Sequence, residues 1–268
     1  MSGNALRVDA EVLFAWLQKP AALRQSRLMI IVAHPDDEVI GIGSRLPDLR
    51  SSMFVHGTTG AAAEEVNYSR QRASELASAL RLAGLHPRQL RPLGHADQTL
   101  SHRLAELVGE LAALVSTEKP QAIFTHPYEG GHPDHDSIAF AVHAACAAVH
   151  SPAAVMEIAS YHQGRDGIRT GEFLPDGSSP CLTLQLSAEE RVLKQQLLDC
   201  FESQRETLRY FGTATERFRI APRYDFTRPP HEGRLFYENF NWGVRSGEQW
   251  RSLARNAVAE PTLAPQCH

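Results

Sequence analysis

The sequence predicts an α/β fold, a Rossmann-like, doubly wound, mostly parallel sheet flanked by helices. Short apolar runs rich in β-branched residues, such as residues 28–33, are typical of strands buried on both faces of a parallel sheet. Strand, polar loop and helix follow one another four times between residues 28 and 149. No linker divides residues 1–268, so we expect one domain with a core at about 28–220 and a C-terminal wrap at about 211–268.

Apolar spacing assigns the individual elements. Strands are predicted over residues 28–33, 53–56, 90–93, 122–124, 154–159 and 182–186. Helices are predicted over residues 9–17, 39–46, 64–83, 104–115 and 136–149, and from a capping box at residues 187–190 to about Tyr210. We expect Pro47 to end the second helix and Gly84 to cap the third. Gly41 and Gly43 fit either close backbone packing or a flexible loop.

Composition limits the classes of partner and compartment. A net charge of -4, from 27 basic and 31 acidic residues, argues against nucleic acid or an anionic membrane as the main partner. No apolar run is long enough to span a bilayer and no signal peptide is recognisable, so we expect a cytoplasmic protein. The four cysteines are widely spaced, which suggests neither a thiolate metal site nor a disulfide framework.

A first polar motif, His34-Pro35-Asp36-Asp37-Glu38, follows the strand predicted at residues 28–33. Pro35 disfavours helix at His34, so the strand should end in a turn and the acids should begin the next helix. The carboxyl edge of an open α/β sheet is where ligands bind. Three carboxylates in one turn repel one another, and a bound cation is the natural way to hold them together.

A second polar motif covers residues 126–136 and also follows an apolar run, at residues 122–124. Both motifs should therefore lie at the same sheet edge. His34, Asp37 and one histidine of the second motif would make two imidazoles and one carboxylate, which leaves an open position on a metal for water.

The two motifs resemble those of the zinc-dependent de-N-acetylases of the LmbE and PIG-L type. The resemblance rests on residues 33–38 together with His132-Pro133-Asp134-His135. It extends to a helix at 72–84 that carries Arg72 and to a loop at 93–97 that ends in Asp97, and it covers roughly residues 28–220.

The resemblance implies a role for each motif residue. One zinc ion per chain would be held by His34, Asp37 and His135, with Fe²⁺ or another divalent metal also compatible. Asp36 would be the general base, because this aspartate adjoins a ligand without being one. His132 would stabilise the oxyanion or protonate the leaving amine. Asp134 would orient His132.

The resemblance also implies substrate contacts. Arg72 and Asp97 would bind the sugar. Some members carry a tyrosine where this chain has Gly130, and Tyr128 is the residue expected to replace it. Ten of the twenty aromatic residues lie between Tyr210 and Trp250. This irregular segment fits a wrap on the sheet or a cleft wall in which an aromatic ring stacks on the sugar. The candidates for that wall are Tyr224, His231, Tyr237 and Trp242.

The expected function is hydrolysis of the acetamide of an N-acetylglucosamine-like sugar or its conjugate, a small-molecule substrate. The residues alone leave three alternatives open. The first is an amidase for a larger sugar or thiol conjugate, and the second is a non-haem iron oxygenase, since two histidines and a carboxylate also form a facial triad. The third is a non-catalytic metal- or sugar-binding protein. A homo-oligomer is compatible with the sequence.

Overall fold

The computed structural model describes residues 9–175 and 179–259. The strands of these residues are β1 (Leu28–Val32), β2 (Met53–Thr58), β3 (Leu90–His95), β4 (Ala122–Thr125), β5 (Ala154–Ile158), β6 (Tyr161–Gly164), β7 (Gly167–Thr170), β8 (Cys181–Gln185) and β9 (Thr215–Ile220). The helices are α1 (Ala10–Gln18), α2 (Pro20–Leu23), α3 (Asp37–Ile42), α4 (Val66–Leu82), α5 (Leu104–Glu118), α6 (Pro133–Ala148), α7 (Ala188–Leu198), α8 (Arg205–Leu208) and α9 (Gly247–Ala259).

Seven strands form one sheet in the order β3-β2-β1-β4-β5-β9-β8, and β6 pairs with β7 in a separate hairpin. The five strands from β3 to β5 are parallel, whereas β9 is antiparallel to both of its neighbours. The predicted α/β class with a mostly parallel sheet is confirmed. β1 lies between β2 and β4, so the chain leaves β1 and β4 towards opposite edges, and open α/β sheets bind ligands at such a point.

Helices cover both faces of the sheet, and the alternation of side chains along β1 supplies both cores. Ile30 and Val32 face a core built with α1, α3, α4 and α7. Met29 and Ile31 face a second core built with α5, α6 and α9. All five β1 residues are buried, as the apolar run predicts.

The helix after β1 differs from its predicted bounds. It begins at Asp37 and changes at Gly43 into a 3₁₀ turn that continues to Asp48, so Pro47 lies inside the turn instead of ending the helix. A short turn tolerates a missing N–H donor better than a helix interior does. A Cβ atom at Gly41 would lie 2.5 Å from Ile158 Cδ1, which shows close packing at this glycine rather than a flexible loop.

The capping box at residues 187–190 is confirmed, because Ser187 and Glu190 each accept a backbone hydrogen bond from the other. The helix it opens ends at Leu198, however, and not near Tyr210. Apolar spacing continues past the break because Phe201 and Leu208 are buried, so periodicity gave no sign of the interruption.

The sequence did not reveal β9, the β6–β7 hairpin or α9. β9 alternates charged and apolar residues, and its Arg219 forms a buried salt bridge to Glu157 of β5. A sequence pattern of this kind is also typical of an exposed surface segment, and only the contact with Glu157 distinguishes the two. None of the described helices combines the length and apolar character that a membrane span requires.

Candidate active site

A cleft of about 350 Å³ opens at the carboxyl end of β1. Seven of the nine predicted site residues line it: His34, Asp36, Asp37, Arg72, Asp97, His132 and His135. The first motif supplies three of them from the turn between β1 and α3, and the second motif supplies two from the start of α6. Parallel pairing of β1 with β4 brings the two motifs to one edge, as predicted.

His34, Asp37 and His135 converge on one point of the cleft. His34 Nδ1 lies 3.2 Å from His135 Nε2 and 3.3 Å from Asp37 Oδ2. Asp37 Oδ1 lies 3.3 Å from His135 Nε2. The His34 N–H donates to Asp37 Oδ2 at 2.7 Å, which fixes the carboxylate within the turn.

This geometry fits a divalent metal ion. Donor atoms about 2.0–2.1 Å from a tetrahedral zinc lie roughly 3.3–3.4 Å from one another, close to the spacing of these three groups. Two imidazoles and one carboxylate also form a donor set typical of catalytic zinc.

The far side of each candidate ligand histidine has its own partner. His34 Nε2 lies 2.9 Å from Asp97 Oδ1, and His135 Nδ1 lies 3.4 Å from Ser160 Oγ. Outer partners of this kind fix the tautomer and orientation of metal-ligating histidines. Burial alone would raise the pKa of Asp97, but the charge and hydrogen bond of His34 lower it below its usual value. Asp97, expected to bind sugar, therefore contacts His34.

Asp36 faces the same cleft from a strained backbone. Its φ of 146° lies in a region that non-glycine residues rarely adopt, and such strain concentrates at functional sites. Arg72 Nη2 donates to Asp36 Oδ2 at 3.1 Å and to Pro35 O at 2.8 Å. Burial raises the pKa of Asp36 to about 6, partly opposed by Arg72.

Behind Asp36 lies a buried pair, Glu38 and His56. Glu38 Oε2 accepts hydrogen bonds from Asp36 N at 3.3 Å and from His56 Nε2 at 3.0 Å. Both side chains are essentially inaccessible to solvent. Glu38 thus holds the strained peptide of Asp36, and it also lies in the first turn of α3. The sequence gave no reason to include His56 in the site.

His132 lies beside the three candidate ligands, with its ring 4.6 Å from that of His34. Its Nδ1 accepts a hydrogen bond from Asp134 N at 3.1 Å, so the neutral ring carries its proton on Nε2. Burial, together with the neighbouring His34, lowers the pKa of His132 to about 3, which keeps the ring neutral near pH 7.

Asp134 orients His132 through its backbone rather than through its carboxylate. The fully buried carboxylate accepts hydrogen bonds from Gln98 N at 2.7 Å and Leu100 N at 3.0 Å. It therefore anchors the loop that follows Asp97. The expected side-chain contact from Asp134 to His132 is replaced by this loop contact, because Asp134 lies in the first turn of α6, where its amide points back to the histidine.

The expectation that Tyr128 lies in the cleft is wrong. Its side chain is 3 % exposed, its hydroxyl donates to Arg228 O, and its ring packs against Trp250 and Phe226. Gly130 takes a positive φ of 70°, and a Cβ there would lie 2.7 Å from Leu235 Cδ2, so the loop path turns Tyr128 into the core.

The aromatic C-terminal segment contributes side chains both to the wrap on the sheet and to the wall of the cleft. Tyr237 is fully buried, and Tyr224 donates to buried Glu157, so these two side chains belong to the wrap. His231 does not line the cleft either. Trp242 does, with its ring 4.7 Å from that of His132. Trp250 Nε1 donates to Pro133 O and supports the start of α6.

His126 is a second residue of the site that the sequence did not single out. This fully buried residue accepts a hydrogen bond from Ala33 N at 3.0 Å. Its ring stacks on His135 at 3.8 Å with an interplanar angle of 8°, and its Nε2 lies 3.2 Å from Asp37 Oδ2. His126 therefore positions two of the candidate ligands. Its signal in the sequence was the His-Pro pair that begins the second motif.

Comparison with known proteins identifies the region that carries the site. Residues 29–146 match the model of the PIG-L family, described as GlcNAc-PI de-N-acetylase. Residues 29–146 are therefore similar to the PIG-L family. This matched region contains all three candidate metal ligands, Asp36 and His132. The match does not favour the oxygenase or the non-catalytic alternative.

A curated relative of this chain is 1D-myo-inositol 2-acetamido-2-deoxy-alpha-D-glucopyranoside deacetylase of Mycolicibacterium smegmatis. The two proteins are 30 % identical over an alignment that covers 41 % of this chain and 49 % of that protein. The chain thus spans about half of the length of the curated relative that it matches.

Solved structures share the fold of this chain. The zinc-inhibited form of teicoplanin deacetylase Orf2 superposes with a TM-score of 0.54 and 16 % identity, over 75 % of this chain and 99 % of that one. The 4-carboxy-2-hydroxymuconate hydratase GalB of Pseudomonas putida KT2440 superposes with a TM-score of 0.52 and 13 % identity, over 75 % and 98 %. A deacetylase and a hydratase use this fold, so the fold does not decide the reaction.

Proposed function

We propose that this protein is a zinc-dependent hydrolase that removes the acetyl group from an N-acetylated amino sugar or its conjugate. The observation that carries the proposal is the convergence of His34, Asp37 and His135 on one point, with the carboxylate of Asp36 facing the same cleft. The PIG-L match and the curated deacetylase relative support the same reaction.

Asp36 is the proposed general base. Zinc held by the three ligands would act as a Lewis acid on the acetamide carbonyl and make a water molecule more acidic. Asp36 takes the proton of the attacking water on a carboxylate oxygen and returns it to the amine nitrogen as the amide bond breaks. Its pKa, raised to about 6 by burial, lies near the operating pH, as efficient proton transfer requires.

His132 is the proposed oxyanion donor. Its Nδ1 is engaged by Asp134 N, so its Nε2–H is the proton available to the cleft. A neutral ring with this tautomer can donate a hydrogen bond to the oxygen on which negative charge develops. The ring of Trp242 lies 4.7 Å from that of His132, with an interplanar angle of 33°.

Arg72 and Asp97 are proposed to bind the sugar in addition to their contacts with Asp36 and His34. Arg72 is 2 % exposed, and its Nε and Nη1 atoms have no hydrogen-bond partner among the described residues. Buried donors of this kind need an acceptor, and a sugar hydroxyl or the acetamide oxygen supplies one. Asp97 retains carboxylate lone pairs beyond the one that His34 uses.

Acetate release from a panel of N-acetylglucosamine conjugates tests the proposal. The full chain is measured as purified, after chelation, and after zinc is restored. Asp36→Asn is measured in parallel, with zinc content determined, and Asp166→Asn at the exposed tip of the β6–β7 hairpin serves as the matched control.

We expect release that chelation abolishes and zinc restores. Asp36→Asn should bind zinc normally and lose at least a thousandfold in kcat, whereas Asp166→Asn should behave like the unsubstituted protein. No release from any conjugate by fully metallated protein would refute the proposed reaction.

A further inference from the structure

The rim of the cleft carries a connected set of aromatic side chains. Trp242 stacks on Phe240 at 4.2 Å with an interplanar angle of 9°, and its ring also lies 4.7 Å from that of His132. Phe236 bridges to the opposite wall, 6.1 Å from Trp242 and 5.6 Å from Tyr161. The rings of His132, Trp242 and Phe240 thus lead outwards from the site of chemistry.

The outer end of this set faces solvent. Phe240 is 43 % exposed, although it is a large apolar side chain in direct contact with a cleft-lining tryptophan. Tyr161 and Phe211 line the cleft on the other side and lie 6.1 Å apart, measured between ring centroids. An apolar surface that is continuous with a polar catalytic site is typical of a pocket that binds a ligand with two chemically different ends.

The charges of the cleft restrict which chemical groups the second end of such a ligand can carry. Its lining includes four carboxylates, Asp36, Asp37, Glu65 and Asp97. Within residues 9–175 and 179–259, Arg72 is the single lysine or arginine that lines the cleft, and Asp36 neutralises it at 3.1 Å. Since the remaining donors of Arg72 and the three metal ligands are assigned to the sugar and its acetamide, a phosphate or carboxylate on the attached group would meet no further cationic side chain of the lining. It would be repelled by Glu65 and Asp97.

We propose that the cleft selects amino-sugar conjugates whose aglycone is uncharged and carries a planar apolar group, such as an aromatic ring, packed against Phe240 and Trp242. The proposal rests on the proposed function, because it places the acetamide at the three metal ligands. It adds the class of the attached group, which the catalytic residues do not specify.

Three N-acetylglucosamine derivatives test this inference on the zinc-loaded full chain: the methyl glycoside, the phenyl glycoside and the 1-phosphate, with both anomers of each. We expect kcat/KM for the phenyl glycoside to exceed that for the methyl glycoside about tenfold, as one added aromatic contact with its buried area allows. The 1-phosphate should react more slowly than the methyl glycoside.

Phe240→Ala should remove the phenyl advantage, so that the ratio of kcat/KM for the phenyl glycoside to that for the methyl glycoside falls from about ten to about one. Val192→Ala, at a 58 % exposed apolar residue of α7 that does not line the cleft, should keep the advantage. Melting temperatures of both variants establish that they are folded. Equal rates for the phenyl and methyl glycosides, or a phenyl advantage that survives in Phe240→Ala, would overturn the inference.

Binding separates this inference from the proposed reaction. Calorimetry with zinc-loaded Asp36→Asn should show about tenfold tighter binding of the phenyl glycoside than of the methyl glycoside, whether or not the unsubstituted protein releases acetate. Equal binding of the two glycosides would overturn the inference even if deacetylation is observed. Absence of acetate release together with selective phenyl binding would refute the reaction and retain the aglycone preference.

Discussion

Replacing Asp97 by alanine separates two roles that one carboxylate plays in this cleft. As a partner of His34, Asp97 holds the imidazole in the tautomer whose Nδ1 faces the metal ligands. As a sugar-binding group, it would affect only the substrate. The 2.9 Å contact to His34 Nε2 leads us to expect mainly the first effect.

The size of the effect follows from what such partners contribute elsewhere. Removing the hydrogen-bond acceptor of a metal-ligating histidine costs about 10–100-fold in metal affinity, which is about 1.4–2.7 kcal/mol of binding free energy. The side chain of Asp97 is 22 % exposed, so water can replace part of the lost contact. We therefore expect the zinc Kd of Asp97→Ala to rise about tenfold, the lower end of this range.

Competition with a chromophoric chelator measures the zinc Kd directly, without any substrate. Asp97→Asn retains an acceptor oxygen and should recover part of the affinity, whereas Asp166→Ala on the exposed hairpin tip should leave the Kd unchanged. An unchanged zinc Kd in Asp97→Ala, with KM for the substrate raised instead, would refute the positioning role and return Asp97 to sugar binding alone.

Three further variants probe the surroundings of the site. Glu38→Ala removes the acceptor for Asp36 N and His56 Nε2. We expect kcat to fall about tenfold, while the zinc content and KM stay unchanged. Loss of zinc from this variant would contradict the expectation. Burial raises the pKa of Glu129 from about 4.5 to about 8, so between these pH values the folded protein holds a proton that the unfolded chain releases. The free energy of unfolding should therefore fall as the pH rises from 5 to 8. Glu129→Gln should make the melting temperature less dependent on pH over this range. Trp250→Phe removes an N–H donor to the first turn of α6. The free energy of unfolding, measured in urea, should fall by about 1 kcal/mol. An unchanged midpoint of the urea unfolding curve would disprove this expectation.

The parts of the fold that local sequence determines were predictable. The run at residues 28–33 and the box at Ser187 carry their own signals, because burial on both faces favours β-branched residues and a helix start favours a side-chain acceptor. β9 is different. Its Arg219 is buried only because Glu157 and Glu129 lie on neighbouring segments, and no local pattern announces a partner 62 residues away in the chain.

The candidate site divides in the same way. Spacing within each motif brought His34, Asp37 and one histidine of the second motif into the hypothesis, since strand ends of a parallel sheet share an edge. The choice of His135 came from the family resemblance. The roles of His56, His126 and Trp242 depend on contacts between distant segments, and single histidines and tryptophans are common in cores. Tyr128 was misplaced because the loop that contains it turns at Gly130, where φ is positive, and residue types alone do not determine the direction of a side chain beside such a turn.

The boundary of the matched region has an evolutionary consequence. Every group proposed to act on the amide bond lies within residues 29–146, whereas Tyr161, Phe211 and Trp242 of the cleft wall lie beyond them. The groups proposed to break the amide bond and the aromatic rings proposed to meet the attached group are thus encoded in separate stretches of one chain. Substitutions after residue 146 can therefore change which attached group is accepted while the groups proposed for hydrolysis stay intact, and lineages that share these groups are free to diverge in their substrates.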